Sequence, residues 1–464
     1  MVDSKSNPNA ISSSNPHDDA DAVRGRNADK IEEGEGPYAE HTPVMRQYLM
    51  MRDENPGVLL LYRLGDFYET FFEDAVRINK LLGLTLTRRG KDSTGKPIPM
   101  AGVPASTLDQ YLARLVRCGV SVAICEQVGD AATPRGMMQR RIVRIVTPGT
   151  ITDNSLLSEK IDSILAAWAP AKGRHGSPAL VWLTLSSGEF HAVKLHDKPL
   201  AGELARIGPS ELLVPDSLRE DFADGISATV TPLPDWHFDA KKGAEEISER
   251  FGLEGLVVRG LENEPEVLAA ANAILGYVEQ TQCDALPYIR PLALESDSSF
   301  IVLDAATRRN LEISETIRGD DGPTLLSVLD ACRTSMGSRT MRRWLHNPLR
   351  SAAEASVRHD AIEALINDPE GRDALATALP GLPDIERLAG RIALRSIRPK
   401  ELAALRDALP QLATLTQALA RFDSPLFARA AGELTIDPAL AHDLAKTLLP
   451  EPATLLPAGA VIRS

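Results

Sequence analysis

Cysteine is almost missing from this chain: four residues in 464, at Cys118, Cys125, Cys283 and Cys332. So few thiols exclude a disulfide scaffold, and without any CxxC pair a cysteine-built zinc site has no sequence support. Apolar runs of spanning length are missing as well. None reaches the roughly 18–20 residues that a membrane helix needs, and no signal-peptide pattern opens the chain. HExxH and GxSxG are absent. The nine histidines are scattered, and the closest pair, His191 and His196, has no acidic ligand patterned around it. Neither a metal centre nor a catalytic set is therefore expected. A surplus of basic charge is also lacking: Lys and Arg number 51 against 64 Asp and Glu, a net charge of −13. What is present is 43% hydrophobic residues, enough for real cores, and a length that suggests about three domains. A soluble, reducing, cytoplasmic protein is the expectation, and an acidic total would ordinarily argue against nucleic acid.

Mapped along the chain, the charge changes sign. Residues 1–40 carry four basic and nine acidic side chains and no apolar period, and read as a disordered acidic tail. Residues 41–150 carry fifteen Lys or Arg and ten Asp or Glu, and residues 85–150 alone carry ten against four. Arg88, Arg89, Lys91 and Lys96 form one cluster; Arg135, Arg140, Arg141 and Arg144 form another. A basic module within an acidic chain is what local phosphate binding looks like. An ordinary solvated face is the other reading of each cluster.

Residues 58–64 form an apolar run of strand length. Thr70-Phe71-Phe72-Glu73 has the form of a capping box, with Phe71, Ala75, Ile78 and Leu82 at helical spacing behind it. Residues 84–87 suggest a further strand. Residues 91–96 are a polar loop turning at Gly95. A helix is expected from about Thr107 to Cys118, ended by Gly119. Residues 120–125 and 142–146 read as strands. Together these make a small mixed α/β domain over residues 41–152. Pro148-Gly149 marks its boundary. Strand-like runs at 164–168, 180–185, 189–195 and 212–214, with a helical stretch at 200–207, predict a second α/β domain over 160–255. From 262 to 464 the pattern is helical, and it stops at an apolar run, residues 460–464, with no end signal. The sequence looks interrupted there.

Two motifs carry chemistry. Gly90 to Lys96 meets the G-x4-G-K spacing of a phosphate-binding loop, but Pro97 stands where a Ser or Thr hydroxyl would hold Mg²⁺. Proline also lacks the amide that would cradle phosphate. A basic hairpin loop is the better reading, and no other P-loop candidate occurs. Gly65-Asp66-Phe67-Tyr68-Glu69 follows the first strand. In an extended segment Phe67 and Glu69 share a face and Tyr68 takes the other. On spacing alone Phe67 could be core and Glu69 a charge suited to a helix start. Alternatively the ring wedges at a base step and the carboxylate accepts from a base edge. Unstacking costs a few kcal/mol per step, less at a weakened pair, so a wedge selects mismatches.

Leu64-Gly65-Asp66-Phe67-Tyr68-Glu69, Leu86-Thr87-Arg88-Arg89-Gly90, Met100-Ala101-Gly102-Val103-Pro104, Val122-Ala123-Ile124-Cys125-Glu126-Gln127 and Arg144-Ile145-Val146-Thr147-Pro148-Gly149-Thr150 together resemble the mismatch-recognition domain of the MutS family of DNA mismatch repair proteins. Leu303-Asp304-Ala305-Ala306-Thr307-Arg308-Arg309-Asn310-Leu311-Glu312 and Met336-Gly337-Ser338-Arg339, with Arg343-Trp344-Leu345, resemble the start of that family's helical core. The resemblance runs from about His41 to the end of the sequence. The family often has Tyr-His after the Ala-Gly-Val-Pro run, where Ala105-Ser106 stand here.

The resemblance implies a multidomain α/β plus all-α protein: a small mixed α/β mismatch-recognition domain, an RNase H-like α/β connector, and a truncated all-α core or lever domain. Phe67 would stack on a mispaired or unpaired base of double-stranded DNA from the minor groove, and Glu69 would bond that base. Arg88, Arg89 and Lys96 would position the DNA backbone. Arg308, Arg309, Arg342 and Arg343 read instead as ion-paired or solvated helix residues. Full-length members couple mismatch binding to ATP and Mg²⁺ in a DNA-dependent ATPase domain, dimerise, and recruit a MutL-type partner. Without a P-loop, this chain is expected to need no cofactor and to hydrolyse no ATP alone. Its expected location is cytoplasmic and nucleoid-associated. The competing expectation is an interaction or scaffold protein on the same fold that no longer reads mismatches.

Overall fold

The computed structural model describes residues 38–92, 94–128, 139–196, 198–223, 225–257, 259–282, 288–296, 299–453 and 461–462. The acidic tail up to residue 37, Arg135 and Cys283 lie outside the described residues.

The first sheet is built from β1 (Leu59–Leu64), β2 (Phe67–Phe71), β3 (Thr87–Lys91), β4 (Pro97–Pro104), β5 (Val122–Val128) and β6 (Gln139–Val146), in the order β3-β4-β2-β1-β5-β6. Only β1 and β5 run parallel; the other neighbours are antiparallel. Strand alternation divides the apolar residues between two cores. Leu60, Tyr62, Phe71 and Ile145 meet helix α1 (Pro43–Glu54) through Met45, Tyr48 and Leu49. Leu59, Leu61, Tyr68 and Val103 meet α2 (Phe72–Leu82) and α3 (Leu108–Arg117) on the opposite face. Cys125 is buried here, and burial pushes its thiol up to about 12, as suits a structural residue.

The expected capping box does not form. Strand β2 continues through Phe71, so the cap position moves one residue on, to a side chain with no oxygen. The Thr70 hydroxyl is buried against Tyr48 Oη at 3.1 Å, and Glu73 pairs with Arg52 at 3.0 Å. The strand expected at residues 84–87 begins only at Thr87.

A second sheet combines β7 (Leu165–Ala169), β8 (Ala179–Thr184), β9 (Glu189–Lys194), β10 (Glu211–Pro215), β11 (Thr229–Leu233) and β12 (Ala293–Leu294), in the order β11-β10-β7-β8-β9-β12. Helix α4 (Leu200–Ile207) covers one face through Leu200, Leu204 and Ile207. The other face is covered by α5 (Ala240–Val257) and α6 (Pro265–Gln282). The boundary expected at 262 assigns α6 to the helical region, but this helix packs on the second sheet. Ile274, Leu275 and Val278 join the core of Leu165, Val181 and Phe190. Gly243 lets α5 approach closely, since a Cβ there would stand 2.0 Å from the Leu268 carbonyl.

From Ala305 onward the chain is helical: α7 (Ala305–Asn310), α8 (Leu325–Leu329), α9 (Ser335–His346), α10 (Ala352–Asn367), α11 (Pro369–Ala378), α12 (Ile385–Ala393), α13 (Pro399–Leu419), α14 (Pro425–Glu433) and α15 (Pro438–Thr447). Among the described residues no helix is long and apolar enough to cross a membrane.

The segment joining the two sheets is held from both sides. Leu156 and Leu157 enter the core of the first domain. Its polar groups face the helical region. Arg339 on α9 pairs with Asp162 at 3.1 Å, with Asp384 and Glu386, and donates to the Glu159 carbonyl. Arg387 on α12 donates to the carbonyls of Ser158 and Ile161. Arg391 and Arg398 lie 3.4 and 3.5 Å from Asp153. Lys160 donates to Asp330 at 2.8 Å.

The Asp330 carboxyl is held down at about 2, first by the Lys160 ammonium and then by hydrogen bonds from Ser338 and the Cys332 amide. A depressed carboxyl adds stability that is complete above its unfolded value of about 3.9 and is lost as pH falls through the folded value. Between about pH 4 and pH 2, the native chain should therefore lose more stability than Asp330→Asn. Urea midpoints at pH 5, 4, 3 and 2 measure this, and parallel acid profiles for the two proteins would count against it.

Candidate nucleic-acid interface

β1 and β2 form a hairpin whose last pair is Leu64 and Phe67, leaving Gly65 and Asp66 as a two-residue turn. Gly65 has φ +62°, which tight hairpins need at the first central position and which glycine adopts without strain. The Asp66 carbonyl accepts from the Ala105 amide at 2.9 Å, so the turn is tied to the end of β4.

The strand that follows places its side chains by alternation. Tyr68 is buried, its hydroxyl bonded to Glu126 and its ring beneath the Arg63 guanidinium. Phe67 and Glu69 take the other face. Phe67 is 48% exposed and so does not fill the core. Glu69 lies in the strand rather than at the helix start, where Glu73 and Asp74 occupy the first turn. Beneath both side chains runs β4 at Gly102, the cross-strand partner of Glu69. A Cβ built on Gly102 would lie 3.5 Å from Glu69 Cγ and 3.9 Å from Phe67 Cδ1. The ring and the carboxylate thus stand side by side over bare backbone. Sequence reasoning missed Gly102 as part of this surface; glycine in a strand opposite the Phe67–Glu69 pair was the available signal.

The basic residues divide. Arg89 reaches across β4, and its Nη1 donates to Glu69 Oε2 at 2.5 Å. Arg88 is exposed, and alternation along β3 sends it to the opposite face. Lys96 lies at the β3–β4 loop, which is folded around the Asp92 carboxylate. Asp92 Oδ1 accepts from the Thr94 hydroxyl, the Thr94 amide and the Lys96 amide at 2.7–2.9 Å. These bonds, the Thr94 hydroxyl foremost, hold the Asp92 carboxyl below its usual range. The loop's own anion occupies the amides that a phosphate would need, which agrees with the basic-hairpin reading of residues 90–97.

In the second cluster, Arg140 lies over the Tyr62 ring and donates to the Arg63 carbonyl, whereas Arg144 is turned inward to Thr152 and Asp153. Of the four helix arginines, Arg343 is ion-paired and the other three donate to neighbouring oxygens. Arg308 donates to the carbonyls of Leu303 and His346, Arg309 to that of Ile317, Arg342 to Ser314, and Arg343 pairs with Glu189. Among the described residues no group of three or more His, Cys, Asp or Glu could hold a metal ion.

The end of the hairpin thus presents a half-exposed aromatic ring and, beside it, a carboxylate held by Arg89. Comparison with protein families finds three collinear matches: MutS domain I over residues 42–155, MutS domain II over 163–290 and MutS domain III over 306–464. Domain II extends past α6, in agreement with the packing of that helix on the second sheet. With these three domains in order across nearly all of residues 42–464, the chain belongs to the MutS family of mismatch-repair proteins.

Proposed function

We propose that the end of the β1–β2 hairpin reads mismatched or unpaired bases in duplex DNA. Phe67 stacks at the weakened step, and Glu69 accepts from the edge of the displaced base. The observation that carries this reading is the pairing of a half-exposed Phe67 with Glu69 on one face, at the tip of a hairpin tied down by Tyr68 and the Asp66 carbonyl. A carboxylate near phosphates is repelled, so its presence beside the wedge serves discrimination rather than affinity. Lys96, at the β3–β4 loop, supplies a backbone contact that contributes to the salt dependence, whereas Arg88 faces away from the Phe67–Glu69 surface.

The second domain acts as an RNase H-like connector without catalytic duty. ATP and Mg²⁺ chemistry, dimerisation and recruitment of a MutL-type partner belong to this reading as properties of the whole family protein, not of the hairpin.

The test is fluorescence anisotropy with a G·T duplex and its matched twin at one fixed salt concentration. Tighter binding to the mismatch is expected. Equal affinity for both duplexes would return the chain to the scaffold reading.

A further inference from the structure

Arg89 belongs, by charge and neighbourhood, with the residues that would grip phosphates. Its geometry gives it another task. One guanidinium nitrogen is committed to Glu69 Oε2, and the Glu69 side chain is only 14% exposed. Among the described residues Oε1 accepts nothing, so one carboxylate oxygen is held and the other is open. The Glu69 stem rests over Gly102, where no side chain competes for the space. Arg89 also comes from β3, two strands away, while the intervening β4 is hydrogen-bonded to both β2 and β3. The pair is thus braced by three strands.

We infer that Arg89 is a positioning residue for discrimination: it fixes the Glu69 carboxylate beside Phe67 with one oxygen free for the base, and it is not a phosphate contact. This rests on the mismatch-reading proposal above. Two physical consequences follow. A carboxylate held in one rotamer has less freedom to lose when it meets a base. A neighbouring guanidinium also cancels the charge that would otherwise repel the duplex backbone. A guanidinium already neutralised by a carboxylate displaces no counterion from DNA, so it adds nothing to the salt slope.

The experiment measures affinity for G·T and matched duplexes across a salt series, for the native chain, Arg89→Ala, Arg89→Lys, Glu69→Ala and the double variant. Arg89→Ala should lower the mismatch-to-matched ratio by about tenfold, the scale of a charge-assisted hydrogen bond, with the salt slope unchanged. Arg89→Lys should restore part of the ratio. In the Glu69→Ala background, removing Arg89 should change the ratio no further. A thermal midpoint close to native is expected, because the arginine is half-exposed. The inference is overturned if Arg89→Ala keeps the ratio and reduces the slope by about one, the mark of a phosphate contact. It is also overturned if the ratio falls equally with Glu69 already absent. In both cases a native chain that prefers the mismatch leaves the mismatch-reading proposal standing. A native chain that binds both duplexes alike removes that proposal and this one together.

Discussion

Phe67→Ala is expected to abolish the preference for a mismatched duplex while leaving the fold intact. The ring is half-exposed, so its removal takes little apolar surface out of either core; the cost to stability should stay within about 1 kcal/mol. Its loss from a DNA complex is a different matter. Stacking of an aromatic side chain on a base is worth about 1–3 kcal/mol, roughly 5- to 150-fold in affinity. That contribution exists only where a base step opens enough to admit the ring, so it should vanish from the G·T duplex and leave matched binding nearly unchanged. Anisotropy with both duplexes, together with a thermal melt, separates the two effects. Near-native discrimination would remove Phe67 from the reading surface. A large fall in melting temperature would make it a packing residue after all.

The face that carries Phe67 and Glu69 was legible because β alternation is a local rule: once residues 67–71 are extended, the ring and the carboxylate must share a side. The same locality explains why the helix over residues 200–207 and the strands around 180 and 190 lie where their apolar runs place them. Local rules failed where the partner is distant. Thr70 has the chemistry of a helix cap, yet Tyr48 on α1 supplies a buried hydroxyl that holds it in the sheet. Helix α6 shows its burial in its composition, since nearly every face is apolar, but composition cannot name the sheet that buries it. Arg89 looks like a phosphate ligand until the strand order brings Glu69 within its reach. Arg339 looks like any helix cation, and only the fold surrounds it with Asp162, Asp384 and Glu386.

The Thr147-Pro148-Gly149-Thr150 turn reads in sequence as a simple boundary, but it is a docked joint, and the residue that docks it makes the second strong prediction. Glu211 opens β10 and is fully buried. Its carboxylate meets four donors. Oε2 accepts from the Thr147 hydroxyl at 2.5 Å and the Gly149 amide at 2.9 Å; Oε1 accepts from the hydroxyls of Thr231 and Tyr277, both at 2.7 Å. Gly149 is in the closest contact, for a Cβ there would fall 2.8 Å from Leu165 Cδ1 and 2.9 Å from Glu211 Cβ. Burial and the neighbouring Glu211 push the Tyr277 hydroxyl well above its ordinary value, so it remains a donor. Glu211→Ala leaves the Gly149 amide without its acceptor in a buried joint and opens a cavity beside it. The expected cost is about 3–5 kcal/mol. Glu211→Gln should cost much less. Its carbonyl can keep the Thr147 and Gly149 bonds while its amide donates to Thr231 and Tyr277, whose hydroxyls can turn to accept. Hydrogen exchange at the Gly149 amide reads the joint directly. It should be fast in Glu211→Ala and close to native in Glu211→Gln. Equal exchange in all three proteins would mean that the joint is held by the surrounding packing and not by the carboxylate. Because the turn is the point where the first domain leaves its own sheet for the second, the alanine variant also tests the proposed function apart from the reading face. In the native chain the first domain has two cores of its own and Phe67 is half-exposed, so a variant that keeps amide protection in those cores and still loses mismatch preference would lose it through the joint.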